Sequence, residues 1–487
     1  MMRSHGFRLT HIVVCIAAVV VVSNAMLFNE FHGLSSDAGQ HYAIIRQLMD
    51  MQGWIRPTSP YLGPLQSYPP AAHWIAAEIG KLLDSGLLGM TVVATTSVAL
   101  FYLALFTLSF DSGRKIALYA CCFLVVLAFL RAPIFGRQIV NNYFYSQVVG
   151  SSIGIWAFLV VFYARDKVSP VIQDVWIILV GQLLVATHLT AAAQLMAAYG
   201  TFLALQAWGG LNRTSIARLI FFTVVASALT AFNPYARYLT SVAQQGGGAH
   251  VNLLLGHQAA QFALFTLGGF ASLRLLTKEN EGRDTHILLA LLGLSACLLA
   301  LLQLFLSWIN IGSAYAVEKH IFVTLTLLVF ILSANISLGE KSDHIRNDGW
   351  VPSIVICSAL SLVATRADLY PSVLNLREVV AFQRSVRELR RREPIDSSRE
   401  IVFSTLWPRN VSYMLSLGDL KVPFAVANNL LGRAPGDLSF AQYVLMPPSD
   451  PLLVRDCDAP EASNESVSAM RFSCFLAAGR MNGAPPN

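Results

Sequence analysis

Long apolar stretches recur along this chain, near residues 12–28, 86–110, 115–131, 148–164, 172–188, 189–208, 216–232, 257–275, 286–308, 319–338 and 350–366. A helix needs roughly 17–25 residues to cross a hydrocarbon core about 30 Å thick. Eleven such stretches leave little choice of fold, because a backbone in lipid must satisfy its own hydrogen bonds. The region 176–208 is the difficult division. As one straight helix it would be about 50 Å long, so a break is expected at Thr187-His188-Leu189-Thr190. A single tilted helix there would reduce the count to ten.

Composition agrees. Only 13% of the 487 residues are charged, 55% are hydrophobic, and the mean hydropathy is +0.55. Soluble domains carry roughly 25% charged residues. The deficit excludes intrinsic disorder, nucleic-acid binding and a water-soluble enzyme of this length. The length prior of one domain per ~150 residues applies to soluble chains and gives no guidance here.

The net charge of +6 reports orientation, since short cytoplasmic loops are enriched in Lys and Arg. One set of connections holds Arg3 and Arg8, Arg114 and Lys115, Arg165 and Lys167, Arg213 and Arg218, Lys278 and Arg283, and Lys341 and Arg346. The opposite set carries fewer cations over more sequence. The first set is therefore assigned to the cytoplasm, which puts the 29–85 loop and the tail after 366 outside. The first stretch is expected to be a retained anchor. Ser23-Asn24-Ala25 also fits a cleavage site, and either outcome leaves the next loop on the outer face.

The fold class expected is an all-α polytopic membrane protein with about eleven spans and a small C-terminal α/β or mixed extracytoplasmic domain. Residues 1–366 form the membrane part and 367–487 the second domain. In the tail, Arg384, Arg387, Arg390, Arg391 and Arg392 lie on a polar helical pattern with Glu388 and Glu393. That run reads as a solvated helix face or as a site near anionic headgroups. Ile401-Val402-Phe403 and Tyr443-Val444-Leu445-Met446 are short β-like runs. Cys457 and Cys474 are the one cysteine pair in this domain. A disulfide between them would contribute about 3 kcal/mol and needs an oxidising compartment. The remaining cysteines lie in apolar stretches as packing residues.

Chemistry is concentrated in the 29–85 loop. Its start reads Ser35-Ser36-Asp37-Ala38-Gly39-Gln40-His41-Tyr42, followed by the helical pattern Ile44, Ile45, Leu48, Met49. Ser36 or Asp37 is the expected N-cap. Asp37 and His41 are one turn apart on one face, a carboxylate and an imidazole at the membrane–water boundary. The loop closes with Tyr68-Pro69-Pro70-Ala71-Ala72-His73-Trp74. The prolines suit a helix start, placing His73 in its first turn.

An N-terminal span, an outer loop with Asp-x-x-x-His near its start, an amphipathic helix and a closing Tyr-Pro-Pro-x-x-His together resemble the GT-C superfamily of polytopic glycosyltransferases. The motif likeness covers about the first 85 residues, and the architectural likeness the whole chain. The resemblance implies a polyprenyl-phosphate-linked sugar donor and a catalytic aspartate in the first outer loop, a position matched by Asp37. It also implies an acceptor hydroxyl on a glycan, lipid or protein, and a bacterial inner membrane with the N-terminus cytoplasmic.

Such a reaction releases an anionic lipid phosphate, which needs cationic partners. Arg137, Arg237 and Lys319 are the candidates, with Glu318 and His320 beside Lys319 at the expected start of a span. His41, Tyr68, His73, His188, Glu318 and His320 are candidate pocket-lining residues. A divalent metal has a place in the family's chemistry, but no second loop carboxylate apart from Glu318 clearly supports one. Two other readings fit many spans with few charges: a transporter or flippase of lipid-linked saccharide, and a non-catalytic membrane scaffold. Against the first stands the scarcity of ionisable residues at mid-depth.

Overall fold

The computed structural model describes residues 35–51, 59–112, 114–210, 213–236, 238, 257–277, 284–337, 376–392, 400–431, 441–451, 453, 462–463 and 467–474. Its helices are α1 (Ser36–Asp50), α2 (Ala71–Leu82), α3 (Gly86–Ser112), α4 (Arg114–Phe129), α5 (Arg137–Asn141), α6 (Tyr145–Ala164), α7 (Pro170–Val185) and α8 (Leu189–Gly210). They continue as α9 (Arg213–Phe232), α10 (Gln258–Thr277), α11 (Asp284–Trp308), α12 (Ala314–Ser337), α13 (Leu376–Arg392), α14 (Arg409–Gly418) and α15 (Phe424–Ala427). Four short strands follow the order of the chain: β1 (Glu400–Val402), β2 (Tyr443–Met446), β3 (Ala462–Ser463) and β4 (Ser468–Arg471). The expected spans at 12–28 and 350–366 lie outside the described residues.

Two compact units divide the chain. One is drawn from Met1–Leu27, Ala94–Ile139 and Ser146–Arg366, the other from Phe28–Val93, Val140–Tyr145 and Ala367–Asn487. The second unit thus takes in the first loop as well as the tail. The division falls inside α3.

The first unit is a bundle of long apolar helices. Six helices among the described residues are long and apolar enough to cross a membrane by length and composition: α6, α9, α10, α11, α12 and the Gly86–Ser109 part of α3. Lys115–Ala128 and Pro170–Val185 are shorter apolar helices. The expected break in 176–208 is present, with α7 ending at Val185 and α8 starting at Leu189. Thr187 donates its hydroxyl to the Leu183 carbonyl at 3.0 Å, which satisfies one carbonyl of the last turn.

Packing in the bundle runs through α10, α11 and α12, where Phe265, Ala300, Leu304, Val317 and Ile321 form a buried cluster. Gly293 of α11 allows a close approach, because a methyl group there would collide with Ile331. Other faces stay bare. Ile220, Phe221, Val224 and Phe232 on α9, and Phe262, Leu267 and Phe270 on α10, are exposed. In water such patches drive association; against lipid tails they are at home. Two ion pairs stand out in this unit. Arg218 grips Asp174 with Nε at 2.8 Å and Nη2 at 2.9 Å, and Tyr199 donates to the same carboxylate at 2.6 Å. Arg165 bonds Asp284 at 2.7 Å. The chain is an all-α polytopic membrane protein carrying one small sheet.

In the second unit, strand order is β1-β2-β4-β3. β1 pairs parallel to β2, with Ile401 opposite Val444, and β4 pairs antiparallel to both β2 and β3. A parallel neighbour needs a crossover, and α14 lies in that connection. Ile401, Val402, Val444, Leu445 and Met446 are buried. α14 packs on α1, and α1 on α2.

Candidate active site

Local sequence sets the start of α1. Ser35, in extended conformation, is the N-cap: its hydroxyl accepts from the Asp37 amide at 3.1 Å. This corrects the expectation of Ser36 or Asp37. Three consecutive capping residues stand here, and the one whose backbone stays extended takes the role. Ser35 also donates to the Asn142 carbonyl at 3.2 Å. Asp37 therefore sits in the first helical turn, where the unpaired amide dipoles favour an anion.

Gly39 brings the helix against Tyr413 of α14; a methyl at that position would overlap the phenol ring. Three residues further along α1, at Tyr42, a buried polar cluster ties α1 to the tail. Tyr42 donates to Asp419 Oδ2 at 2.7 Å, and Gln383 Nε2 donates to both Asp419 oxygens at 3.0 and 3.2 Å. Gln383 and the Tyr42 hydroxyl are also in contact. Arg46 Nε lies 3.3 Å from Asp419 Oδ1, and Ser85 donates to Gln383 Oε1 at 3.1 Å. Burial, then the nearby Asp419 carboxylate, raises the Tyr42 phenol well above its ordinary value, so it stays a donor. Lys421 joins at the far end, 2.9 Å from Asp50.

His41 and His73, both candidate pocket-lining residues from the loop motifs, meet. His41 Nδ1 and His73 Nε2 are 2.8 Å apart and share one hydrogen bond. The rings are stacked with centroids at 5.1 Å, and Tyr68 stands edge-on to both, at 5.3 and 5.5 Å. Burial pushes the His73 imidazole down to about 3, opposed only in part by the Pro69 carbonyl. His73 is therefore neutral at ordinary pH.

Tyr143 and Tyr145 complete this box, with ring centroids 6.2 and 5.6 Å from His41. Sequence reasoning did not single them out. Tyr145 donates to the Ala72 carbonyl at 2.9 Å, which fixes the start of α2. Tyr143 is buried and holds φ at 54°, a left-handed backbone that is uncommon for a bulky residue. Such conformations cluster at functional sites. Tyr143 directly follows the polar stretch Arg137-Gln138-Ile139-Val140-Asn141-Asn142, and that was the available signal.

Arg137, His188, Glu318, Lys319 and His320 belong to the bundle unit. Arg137 is almost wholly buried, with Nη2 donating to the Ala128 carbonyl at 3.3 Å. Glu318, Lys319 and His320 lie in the second turn of α12, not at its first residue, because the helix starts at Ala314. Lys319 and His320 act electrostatically on His188, so these three form one cluster. The Lys319 carbonyl accepts from Gln147 at 2.7 Å, and Lys319 Nζ sits 4.3 Å over the Tyr315 ring. Glu318 and Lys319 are half-buried and His320 is buried. Arg237 and Cys457 lie outside the described residues; Cys474 is held in a disulfide.

Among the described residues no group of three His, Cys, Asp or Glu side chains is placed to hold a metal ion. A cavity of about 40 Å³ in the bundle, touched by Ser151, Gln194 and Ser295, has room for water but not for a sugar.

No family model and no curated protein sequence matches the chain. Among solved structures its fold is similar to ArnT from Cupriavidus metallidurans in the apo state, at 13% identity over 95% of this chain and 98% of that one, with a TM-score of 0.42. The same figures hold for that protein bound to undecaprenyl phosphate. The archaeal oligosaccharyltransferase AglB from Archaeoglobus fulgidus, in complex with an inhibitory peptide and a dolichol-phosphate, matches at 11% identity over 91% of this chain and 70% of that one, with a TM-score of 0.40. Likeness this distant carries none of their chemistry to this chain.

Proposed function

We propose that this chain is an inverting membrane glycosyltransferase. It moves a sugar from a polyprenyl-phosphate-linked donor to an acceptor hydroxyl on the outer face of the membrane, with the N-terminus cytoplasmic and the 367–487 domain extracytoplasmic. The observation that carries the reading is the fixing of Asp37. Its amide is bound by Ser35, its helix is pinned to the tail through Asp419, and the residue one turn along, His41, is hydrogen-bonded to His73.

The roles follow from the bond changes. The acceptor oxygen attacks the anomeric carbon from the face opposite the leaving phosphate, so configuration inverts. Its proton passes to Asp37, and a positioned base contributes roughly 10²–10⁴-fold. The carbon–oxygen bond to the lipid phosphate breaks, and the negative charge left there calls for a cation. Lys319, half-buried beside His320 on α12, is proposed for that role. Arg137 is enclosed, which suits it to shaping the loop that bears it, and Arg237 retains the phosphate role given it by sequence. His41, Tyr68 and His73 line the acceptor side; Cys457 and Cys474 clip the tail.

The test is a transfer assay with the purified full-length chain and a polyprenyl-phosphate sugar. Asp37→Asn should lower turnover by about 10²-fold or more while donor binding stays within a few-fold. Turnover near the unmodified level would remove Asp37 from the mechanism.

A further inference from the structure

We propose that the turn joining α2 to α3, together with the outer stripe of α13, is a seat for the headgroup of an anionic phospholipid. The inference rests on the membrane reading of α3 and is independent of sugar transfer.

Gly86–Ser109 is 24 residues long, which at ~1.5 Å per residue is about 36 Å. The hydrocarbon core takes up about 30 Å of this, so the first turn of α3 stands at headgroup level. Leu82 is 86% exposed and Leu83 38% exposed. They precede Gly86 by no more than four residues, a reach of at most ~14 Å. Two bare leucines at this depth can enter the acyl boundary, with Ile75 of α2 also exposed.

Guanidinium groups are clasped to the same turn. Arg384 Nη2 donates to the Leu83 carbonyl at 3.4 Å. Arg387 reaches Asp84 Oδ1 at 3.1 Å and the Asp84 carbonyl at 3.4 Å. α13 buries Leu376, Val379, Val380, Gln383, Val386 and Leu389, which leaves Arg377, Arg384 and Arg391 on the exposed side. Their seven-residue spacing keeps them on one stripe. The acids nearby are Asp84, held by Arg387, Glu78, held by Lys81 at 2.8 Å, and Glu378 and Glu388 on α13 itself. Among the described residues the exposed side of α13 holds three arginines against these two glutamates. Apolar side chains at acyl depth beside guanidiniums that can fork onto a phosphate match an anionic phospholipid better than a free anion, which would gain nothing from Leu82 and Leu83.

Native mass spectrometry of the full-length protein in detergent provides the test, with phosphatidylglycerol and phosphatidylcholine of matched chains as probes. Phosphatidylglycerol should bind preferentially. Each of Arg384→Gln and Arg391→Gln should weaken it about fivefold, the ratio equivalent to the ~1 kcal/mol per cation expected at a membrane surface. Leu82→Ser, at a position too exposed to affect folding, should weaken both lipids. Equal binding of the two lipids, or phosphatidylglycerol binding unchanged by the arginine variants, would overturn the proposal. Displacement of phosphatidylglycerol by glycerol phosphate at equal concentration would also overturn it, by showing a free-phosphate site.

Discussion

The bundle and the loop-plus-tail unit differ in what they expose and in how far their buried polar partners lie apart in the chain. In the bundle, α9 and α10 expose Phe, Leu and Ile, and the buried Asp174 is held by Arg218 and Tyr199, 44 and 25 residues away. In the other unit the buried Asp419 accepts from Tyr42 and Gln383 and faces Arg46. Helices that meet lipid are held by shape, with small residues letting backbones approach. The unit bearing Asp37 is held by a buried polar network that joins segments 377 residues apart. A network of that kind specifies one arrangement because any other leaves groups unpaired. That is what a reaction requiring a fixed carboxylate needs.

Removing the hub of the network should have the largest effect on stability. Asp419→Ala leaves Arg46 with Asp50, at 3.4 Å, as its remaining partner and takes the acceptor from Tyr42 and Gln383, and should cost about 3 kcal/mol, read from thermal unfolding in detergent. Asp174→Ala should cost less, because the Arg218 side chain is 18% exposed and can reach water, against 11% for Arg46. The reverse order would break the comparison.

Acid should act next, and on the loop-plus-tail unit. His73 takes a proton near pH 6.5 when unfolded but only near 3 when folded. Between those values the unfolded state binds more protons, so the contribution of His73 to stability is full above 6.5 and is lost as pH falls toward 3. The slope is about 1.4 kcal/mol per pH unit. Unfolding of the full chain followed from pH 7 to 5 should show it, and His73→Gln should flatten it. An unchanged slope in that variant would place the acid sensitivity elsewhere.

Smaller effects sharpen the same contrast. Tyr42→Phe removes one of several donors to Asp419 and should cost about 1 kcal/mol. Lys421→Ala breaks a pair whose partners are 47% and 33% exposed, and should cost about 0.2–1 kcal/mol. A larger loss from Lys421→Ala than from Tyr42→Phe would mean that the network is not what holds α1.

Hydrophobic periodicity made the bundle legible. Length alone located the break between α7 and α8, and Pro69-Pro70 marked the start of α2. The capping residue was missed by one position, because Ser35, Ser36 and Asp37 are chemically equivalent as caps and only the backbone distinguishes them. His41 and His73 stood out as candidates because one motif opens the loop and the other closes it, but their hydrogen bond was not legible. Tyr143, Tyr145 and Asp419 were not, since the contacts that matter to them come from segments far away in the chain. β1 and β2 could be seen as β-like runs, but not their parallel pairing. The two-residue β3 and the polar start of β4 carry no alternation to read. The arginines of α13 looked like a solvated face; Arg387 and Arg390 are instead bound to Asp84 and Glu400, and it is the stripe through Arg384 that faces outward.

The central proposal is that Asp37 takes the proton of the acceptor hydroxyl as a lipid-borne sugar is transferred to it. Mass spectrometry of lipid-linked sugars and envelope glycans addresses it most directly, comparing cells with the unmodified chain, with Asp37→Asn, and without the chain. The expected result is one polyprenyl-phosphate sugar accumulating, and one glycan product disappearing, alike in the last two. A variant whose glycans and carrier lipids match those of the unmodified chain would contradict the account.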